Sequence, residues 1–295
     1  NVKFKFQTDV VNQEGDGLQL YLKNANMEYA ATENITFIYG LQGMNIFGNQ
    51  ETNWGNRYLA KISMDENKWG PSADLGIGVL ANFNRMTASV LFTNGEGYKN
   101  TSVDGNERIS AAVGYYYGDI DDDMSFNVGG VFSILNYDAV VSTDDTEDSA
   151  AGTETVIGVF GGFSGFSFKG GAEYNIGTHL NLDGYAANAT LISLYGNYAI
   201  SFVDGLSILV RYDILDTDTE ADDTETTTLL AGLSYQCAEG ITFSPNMISL
   251  ANISNFKNIS SRIFSRENSN FMIRHRAAID IPMRSLVKLK IFEKS

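Results

Sequence analysis

The chain has 295 residues, with 29 Gly, 18 Phe and 15 Tyr against 3 Pro, a formal net charge of −16 and a mean hydropathy of −0.13. The acidic balance argues against a nucleic-acid partner, and no apolar run approaches the ~18 residues of a membrane helix. The single Cys237 excludes an intrachain disulfide and fits no metal or redox spacing.

The chain opens on Asn1-Val2-Lys3-Phe4, already alternating and without a signal peptide. It therefore reads as the mature or truncated product of an exported protein whose signal peptide has been cleaved. Period-2 alternation, the mark of a strand with one apolar and one polar face, recurs from there onward. It occupies 2–8, 18–30, 35–41, 74–83 and 86–93, then 108–117, where Ile109, Ala111, Val113, Tyr115 and Tyr117 oppose Arg108, Ser110, Gly114 and Tyr116. It continues through 124–134, 156–163, 166–174, 191–202, 206–214, 228–236 and 241–247. In 166–174, Phe166, Phe168, Ala172 and Tyr174 oppose Ser167, Lys169 and Glu173; in 206–214, Leu206, Ile208, Val210, Tyr212 and Ile214 oppose Ser207, Arg211 and Asp213.

The connections alternate in length. Asn84-Arg85, Ser164-Gly165, Asp204-Gly205 and Ala238-Glu239-Gly240 are tight turns, whereas 42–73, 94–107, 135–155, 175–190 and 215–227 are long and mostly polar. Short periplasmic turns and long extracellular loops are the pattern of an outer-membrane barrel. The fold expected is therefore all-β: one domain over 1–295, a closed antiparallel transmembrane β-barrel of about 14–16 strands. Alternation alone also fits a soluble all-β binding protein, but the polar faces here are rich in Gly, Ser, Asn and Thr and poor in the Lys and Glu that coat soluble sheets.

In the barrel reading, Lys3, Lys5, Glu28, Asp74, Arg108, Lys169, Glu173, Arg211 and Asp213 project into the lumen, because charges are costly facing lipid. Lys169, Glu173 and Arg211 are the leading candidates for a mixed-charge constriction; Asp74, Arg108 and Asp213 complete the expected pore lining. Gly76, Gly78, Gly114, Gly129 and Gly171 on the same face favour open space. Two loops are acidic without a base: 138–154, with Asp144, Asp145, Glu147 and Asp148, and 213–225, with Asp218, Glu220, Asp222 and Asp223. At an extracellular mouth they concentrate cations and repel anions. Runs of oxygen ligands also suit calcium, but the spacing of an EF-hand is absent, so the loops are read as solvated and no metal or cofactor is assigned.

The segment 42–73 carries Ile46, Phe47, Trp54, Tyr58, Leu59, Ile62 and Trp69, too apolar for a simple surface loop. It is expected either to fold into the lumen and narrow it, with Trp54, Arg57 and Tyr58 as constriction candidates, or to form an outer cap or a subunit contact through Trp54 and Trp69. Catalysis has little support. Only His179 and His275 exist, neither beside a nucleophile elbow, so the chain is read as a non-enzyme.

Two stretches carry a family resemblance. Pro71-Ser72-Ala73-Asp74-Leu75-Gly76-Ile77-Gly78-Val79, followed by Leu91-Phe92-Thr93-Asn94-Gly95-Glu96-Gly97-Tyr98, resembles a hairpin of bacterial porins of the phosphate-selective (O/P-like) superfamily. Gly40-Leu41-Gln42-Gly43, with Trp54-Gly55 and Arg57 downstream, is similar to the strand and loop that precede it. The resemblance covers about residues 20–100 and implies a trimeric or monomeric diffusion channel of about 14–18 strands. It does not bring phosphate selectivity, which needs clustered bases, whereas residues 1–251 hold 11 bases against 33 acids.

Residues 252–295 break the pattern, with 9 bases against 3 acids and no clean alternation before 286–292, a candidate closing strand. An even strand number requires one or two further strands in 250–281 or one before the first. The function expected is passive diffusion of small hydrophilic solutes or ions through an outer-membrane porin, leaning toward cations, with lipid as its surroundings. The alternative is a plugged surface barrel whose acidic loops bind partners in a structural or adhesive role.

Overall fold

A computed structural model describes residues 1–13, 17–100, 106–118, 124–137, 152–180, 182, 184–239, 241–252 and 272–280. Its strands are β1 Val2–Gln13, β2 Gly17–Ala30, β3 Ile35–Gly43, β4 Ala73–Phe83, β5 Met86–Thr93, β6 Arg108–Tyr117 and β7 Met124–Tyr137. They continue with β8 Gly152–Gly165, β9 Phe168–Thr178, β10 Asn188–Ala199, β11 Leu206–Asp216, β12 Glu225–Ala238, β13 Ile241–Asn252 and β14 Met272–Asp280. All fourteen form one sheet in strictly sequential order, each antiparallel to its neighbours. Among the described residues, β1 pairs with β2 and β14 with β13.

Every segment read as alternating lies on a strand, but Ile200 and Phe202, read into 191–202, fall beyond the end of β10 at Ala199, and the expected tight turn Asp204-Gly205 is part of a longer turn over 200–205. Several strands run further than the apolar pattern: β7 and β8 stay in register out to Tyr137 and Gly152, into what reads as loop, because backbone pairing continues where the side chains turn polar. The turn between β8 and β9 is displaced by two residues. Gly165 still pairs with Phe168, and the turn falls on Phe166 and Ser167, both left-handed at φ 54 and 64. Ser164-Gly165 has the better turn composition, but a turn there would pair Phe163 with Phe166 and slide β9 by four residues against β8, an even shift that keeps its faces. Phe166, read as a strand residue, is therefore a turn residue and 80% exposed.

The face assignment depends on one irregularity. Leu18, Leu20 and Leu22 share the outer face with Ala25, Met27 and Tyr29, two runs that are out of phase. In the pairing with β1, Gln7 meets Asn24 and Thr8 meets Leu22, leaving Lys23 as the extra residue of a bulge. The bulge rephases β2 so that both apolar runs point the same way.

The outer face is apolar and uncovered: Phe37, Ile77, Val90, Val113, Val128, Val159, Leu194 and Leu233 are all exposed. The inner face carries Gln42, Asp74, Ser110, Ser133, Glu173, Asn175, Ser193 and Arg211, all buried. The connection from Met44 to Ser72, with α1 Gly48–Trp54 and α2 Ser63–Glu66, packs against this face. No described helix is long and apolar enough to cross a membrane, which says nothing against crossing by strands. The stretches 138–151 and 119–123, and most of the basic tail including 286–292, lie outside the described residues. Within that tail β14 supplies one of the strands that an even number requires.

Candidate functional site

The inserted connection folds for local reasons. Helix α1 ends at Gly55, which sits at φ 70 with its N–H on the Glu51 carbonyl, a left-handed stop that glycine adopts without strain. In α2, Asp65 and Glu66 lie in the first turn, where the helix dipole favours acids. Ile46, Phe47, Trp54, Ile62, Met64 and Trp69 are almost completely buried, forming one core with Val131, Val156, Phe160, Leu191, Leu209 and Leu230 of the inner face. Each such side chain contributes about 1.5–3 kcal/mol on full burial, so the segment docks chiefly by apolar contact with β7–β12.

Neutral polar bonds set its position. The Asn45 amide donates to Ser89 Oγ of β5 at 3.0 Å and to the Ser110 carbonyl of β6 at 3.3 Å. Asn53 and Asn127 of β7 exchange bonds of 2.9 and 2.6 Å. Asn56 donates to Asn197 Oδ1 of β10 at 2.9 Å, and the Tyr58 hydroxyl bonds Ser234 Oγ of β12 at 2.9 Å and Ser244 Oγ of β13 at 3.0 Å. One short segment touches strands from β5 to β13, so the sheet curves around it.

The segment carries a cluster of paired charges. Asp65, 3% exposed, accepts from Arg57 at 2.9 Å, Lys61 at 2.8 Å and Ser72 at 2.9 Å, while Arg57 also pairs with Glu51. Burial pushes the Asp65 carboxyl upward, but the bonds and charges of Lys61 and Arg57, with the Ser72 hydroxyl, outweigh it and hold the group below its ordinary value. For Glu51 burial prevails over Arg57, and its carboxyl is raised. Arg57 and Lys61 remain accessible, with side chains 35% and 43% exposed.

The inner wall of β1 and β2 carries charges of its own. There Lys23 lies 3.7 Å from Asp9, and the Tyr98 hydroxyl donates to Asp9 at 3.0 Å. Burial and Asp9 push that hydroxyl up to about 12. Tyr21 packs edge-on against Tyr98, with Lys23 and Lys99 over their rings. Lys23 with Asp9 on the wall, and Arg57 and Lys61 with Glu51 and Asp65 on the inserted segment, thus form two clusters of mixed charge.

Sequence reasoning reached only Arg57 of these six. The available signal was the Lys61–Asp65 spacing of four, which suits one helical turn, in a segment that also carries a set of large apolar residues. Tyr58 clamps the segment to the wall, and Trp54 is fully buried under Arg211, whose guanidinium lies 5.4 Å from its ring.

The other candidates are dispersed. Asp74 accepts three backbone N–H groups, from Leu75, Gly95 and Gly97 at 2.9, 2.8 and 3.1 Å, and so anchors the loop after β5. Arg108 pairs with Glu154 at 2.7 Å and donates to Ser133 at 2.9 Å. Arg211 pairs with Asp213 at 2.8 Å and donates to the Lys61 carbonyl. Glu173 is buried with one carboxylate oxygen unpartnered, and Lys169 lies beside Gly55. Glu220, Asp222 and Asp223 are exposed and Asp218 partly so, in the loop between β11 and β12. Asp144, Asp145, Glu147 and Asp148 lie outside the described residues. No group of three or more potential metal ligands occurs among the described residues.

The inner-face glycines do not leave open space. A Cβ at Gly78 would meet Leu91 at 2.2 Å, at Gly129 the Phe160 ring at 2.4 Å, and at Gly171 the Tyr195 ring at 2.9 Å. These glycines receive neighbouring side chains.

No protein-family model matches the chain, and no curated protein sequence matches it. Solved structures do. A loop L8 deletion mutant of OmpT, an outer membrane protein of Vibrio cholerae, is 14% identical with a TM-score of 0.59 over 84% of this chain and 80% of that one. OmpT in trimer form is 16% identical, TM-score 0.56, over 85% and 76%. OccAB1 of Acinetobacter baumannii is 11% identical, TM-score 0.55, over 95% and 74%. At such identities the similarity is one of fold.

Proposed function

We propose that this chain is an outer-membrane porin: a closed β-barrel through which small hydrophilic solutes and ions diffuse passively. The observation that carries the reading is the inserted segment 44–72. It covers the inner wall from β5 to β13 and carries the charged cluster of Glu51, Arg57, Lys61 and Asp65, which the proposal sets opposite the charged face of β1 and β2. A passage between those faces is lined by three bases and three acids, with fixed charges on both sides of any crossing ion. The apolar outer face suits lipid, and the likeness in fold to outer-membrane proteins supports the location.

The short turns face the periplasm and the long loops the exterior. The acidic loop with Asp218, Glu220, Asp222 and Asp223 then lies at the outer mouth and tilts the channel toward cations, while the passage itself is balanced. The hairpin that resembles the O/P-like porins forms β4 and β5, but its Asp74 serves as a loop anchor, and phosphate selectivity is not part of the proposal. A homotrimer is the assembly proposed, in line with the trimer form of OmpT.

A second reading, the plugged surface barrel, is favoured by the filled glycine positions. Single-channel recording of refolded protein in a planar bilayer under a salt gradient separates the two. Stable steps with a cation-favouring reversal potential support the porin. Folded, inserted protein without steps would assign the barrel to the plugged class.

A further inference from the structure

Four inner-face side chains gather over the paired strands β3 and β4, at the loop end of the wall. Gln42 stands opposite Asp74, and further along the same face Gly40 stands opposite Gly76. Asn26 of β2 pairs with Gly40 and Thr93 of β5 pairs with Gly76, which makes one row of Asn26, Gly40, Gly76 and Thr93. The two flanking side chains lean inward along this row. The Asn26 amide donates to the Leu41 carbonyl of β3 at 3.0 Å, and the Thr93 methyl lies 2.8 Å from where a Cβ of Gly76 would stand.

This group is polar, buried and short of partners. Asn26, Gln42, Asp74 and Thr93 are each 5% exposed or less. Among the described residues Asn26 Oδ1, Thr93 Oγ1 and both polar atoms of the Gln42 amide meet no hydrogen-bond partner. The bond from Asn26 to a carbonyl fixes which way that amide faces, so its oxygen is the free atom. Asp74 has no base within ion-pair distance among the described residues. Its Oδ1 accepts from Leu75 and Gly97, whereas Oδ2 accepts from Gly95 alone and keeps a lone pair. Arg108, the ladder partner of Thr93, is already neutralised by Glu154.

Buried polar atoms almost always find partners, and the unmet ones here are chiefly oxygens beside a single carboxylate. Amide and hydroxyl oxygens around a negative charge suit a hard cation, whose hydration shell they replace. We infer that Asn26 Oδ1, Gln42 Oε1, Thr93 Oγ1 and Asp74 Oδ2 form a binding site for one monovalent alkali cation. One carboxylate balances one charge, whereas tight calcium sites gather several. With one acid and neither His nor Cys, the set differs from the acid, His and Cys clusters that the described residues lack. The cation ties β2 to β5 and fastens two loop roots at once. Gln42 adjoins the start of the inserted segment, and Asp74 anchors the loop after β5. Nothing in this site depends on whether the barrel conducts.

The test is urea unfolding of the full chain refolded in detergent, in sodium chloride mixed with choline chloride at constant ionic strength. Screening is then equal throughout, and choline is too large for the site. The folding equilibrium of the wild type should rise with sodium, by about tenfold for each tenfold increase once the site is saturated. Gln42→Met should abolish this response, and Thr93→Val, of the same shape without the oxygen, should weaken it. In choline alone both variants should match or exceed the wild type, because each removes a buried polar atom that has no protein partner. That comparison separates a lost site from a lost fold. Broadening of the sodium NMR signal by the wild type, absent with Gln42→Met, reads binding directly. Equal stability of the wild type in sodium and choline would end the inference, as would an undiminished sodium response in Gln42→Met. A response to calcium at concentrations where sodium has none would overturn the monovalent assignment.

Discussion

Glu173 and Asp213 flank Ser193 in a single row across three strands, and of the two only Asp213 touches a counter-charge. Asp213 accepts from Arg211 at 2.9 Å and from Ser193 at 2.6 Å, whereas Glu173 is held by Asn175 alone at 3.2 Å. Substituting the two should therefore have opposite effects. Asp213→Asn strands a buried guanidinium and should cost about 3–5 kcal/mol. Glu173→Gln removes an uncompensated buried charge and should be neutral or stabilising by about 1–3 kcal/mol. Urea titration of the refolded proteins measures both; a large loss in Glu173→Gln would mean that the carboxylate has a partner of its own.

Arg57 and Lys61 are the accessible cations of the proposed passage. Removing one charge about 5 Å from a crossing ion changes its energy by under ~1 kcal/mol in water, less with screening. Arg57→Gln and Lys61→Gln should each raise the cation-to-anion permeability ratio by about twofold to fourfold. Reversal potentials under a salt gradient read this directly. Unchanged potentials would place the ion path elsewhere.

Acidification should act on this face in two stages. Glu51, raised by burial, protonates first, and the passage gains net positive charge without loss of stability, because the native state binds that proton more readily than the unfolded chain does. Asp65, held low chiefly by Lys61 and Arg57, contributes stability that is present above its unfolded value and lost only as pH falls through the lower folded value. Selectivity should therefore shift toward anions before the inserted segment loosens. In Glu51→Gln the first stage should vanish and the second persist, which reversal potentials recorded over a falling pH series would reveal.

Gly162 faces Asn53, and a Cβ there would stand 2.3 Å from the Asn53 side chain. Gly162→Ala should break the Asn53–Asn127 exchange, cost about 1–3 kcal/mol and give a larger, noisier conductance as the segment lifts. A conductance identical to wild type would show that this contact does not hold the passage.

The strands were legible because one face of each meets a uniform environment, so alternation survives from Val2 to Met247 almost unbroken. Strand ends were less legible, since backbone pairing carries β7 and β8 past the last apolar residue. The charged lining was the least legible. Asp9 and Lys23 lie on strands where alternation marks a face but not what stands opposite. Glu51, Lys61 and Asp65 lie in a segment whose path depends on long-range amide contacts. Asp74 shows the converse: a carboxylate on the correct face that is consumed by backbone N–H groups of a neighbouring loop.

The inserted segment is fastened by an asparagine on each of β7 and β10, by serine on β5, β12 and β13, and by apolar packing, and its ion pairs lie mainly within itself. Ionic strength screens charge but leaves neutral bonds and packing in place. Higher salt would thus change the ion preference of the proposed channel while leaving the inserted segment seated as before.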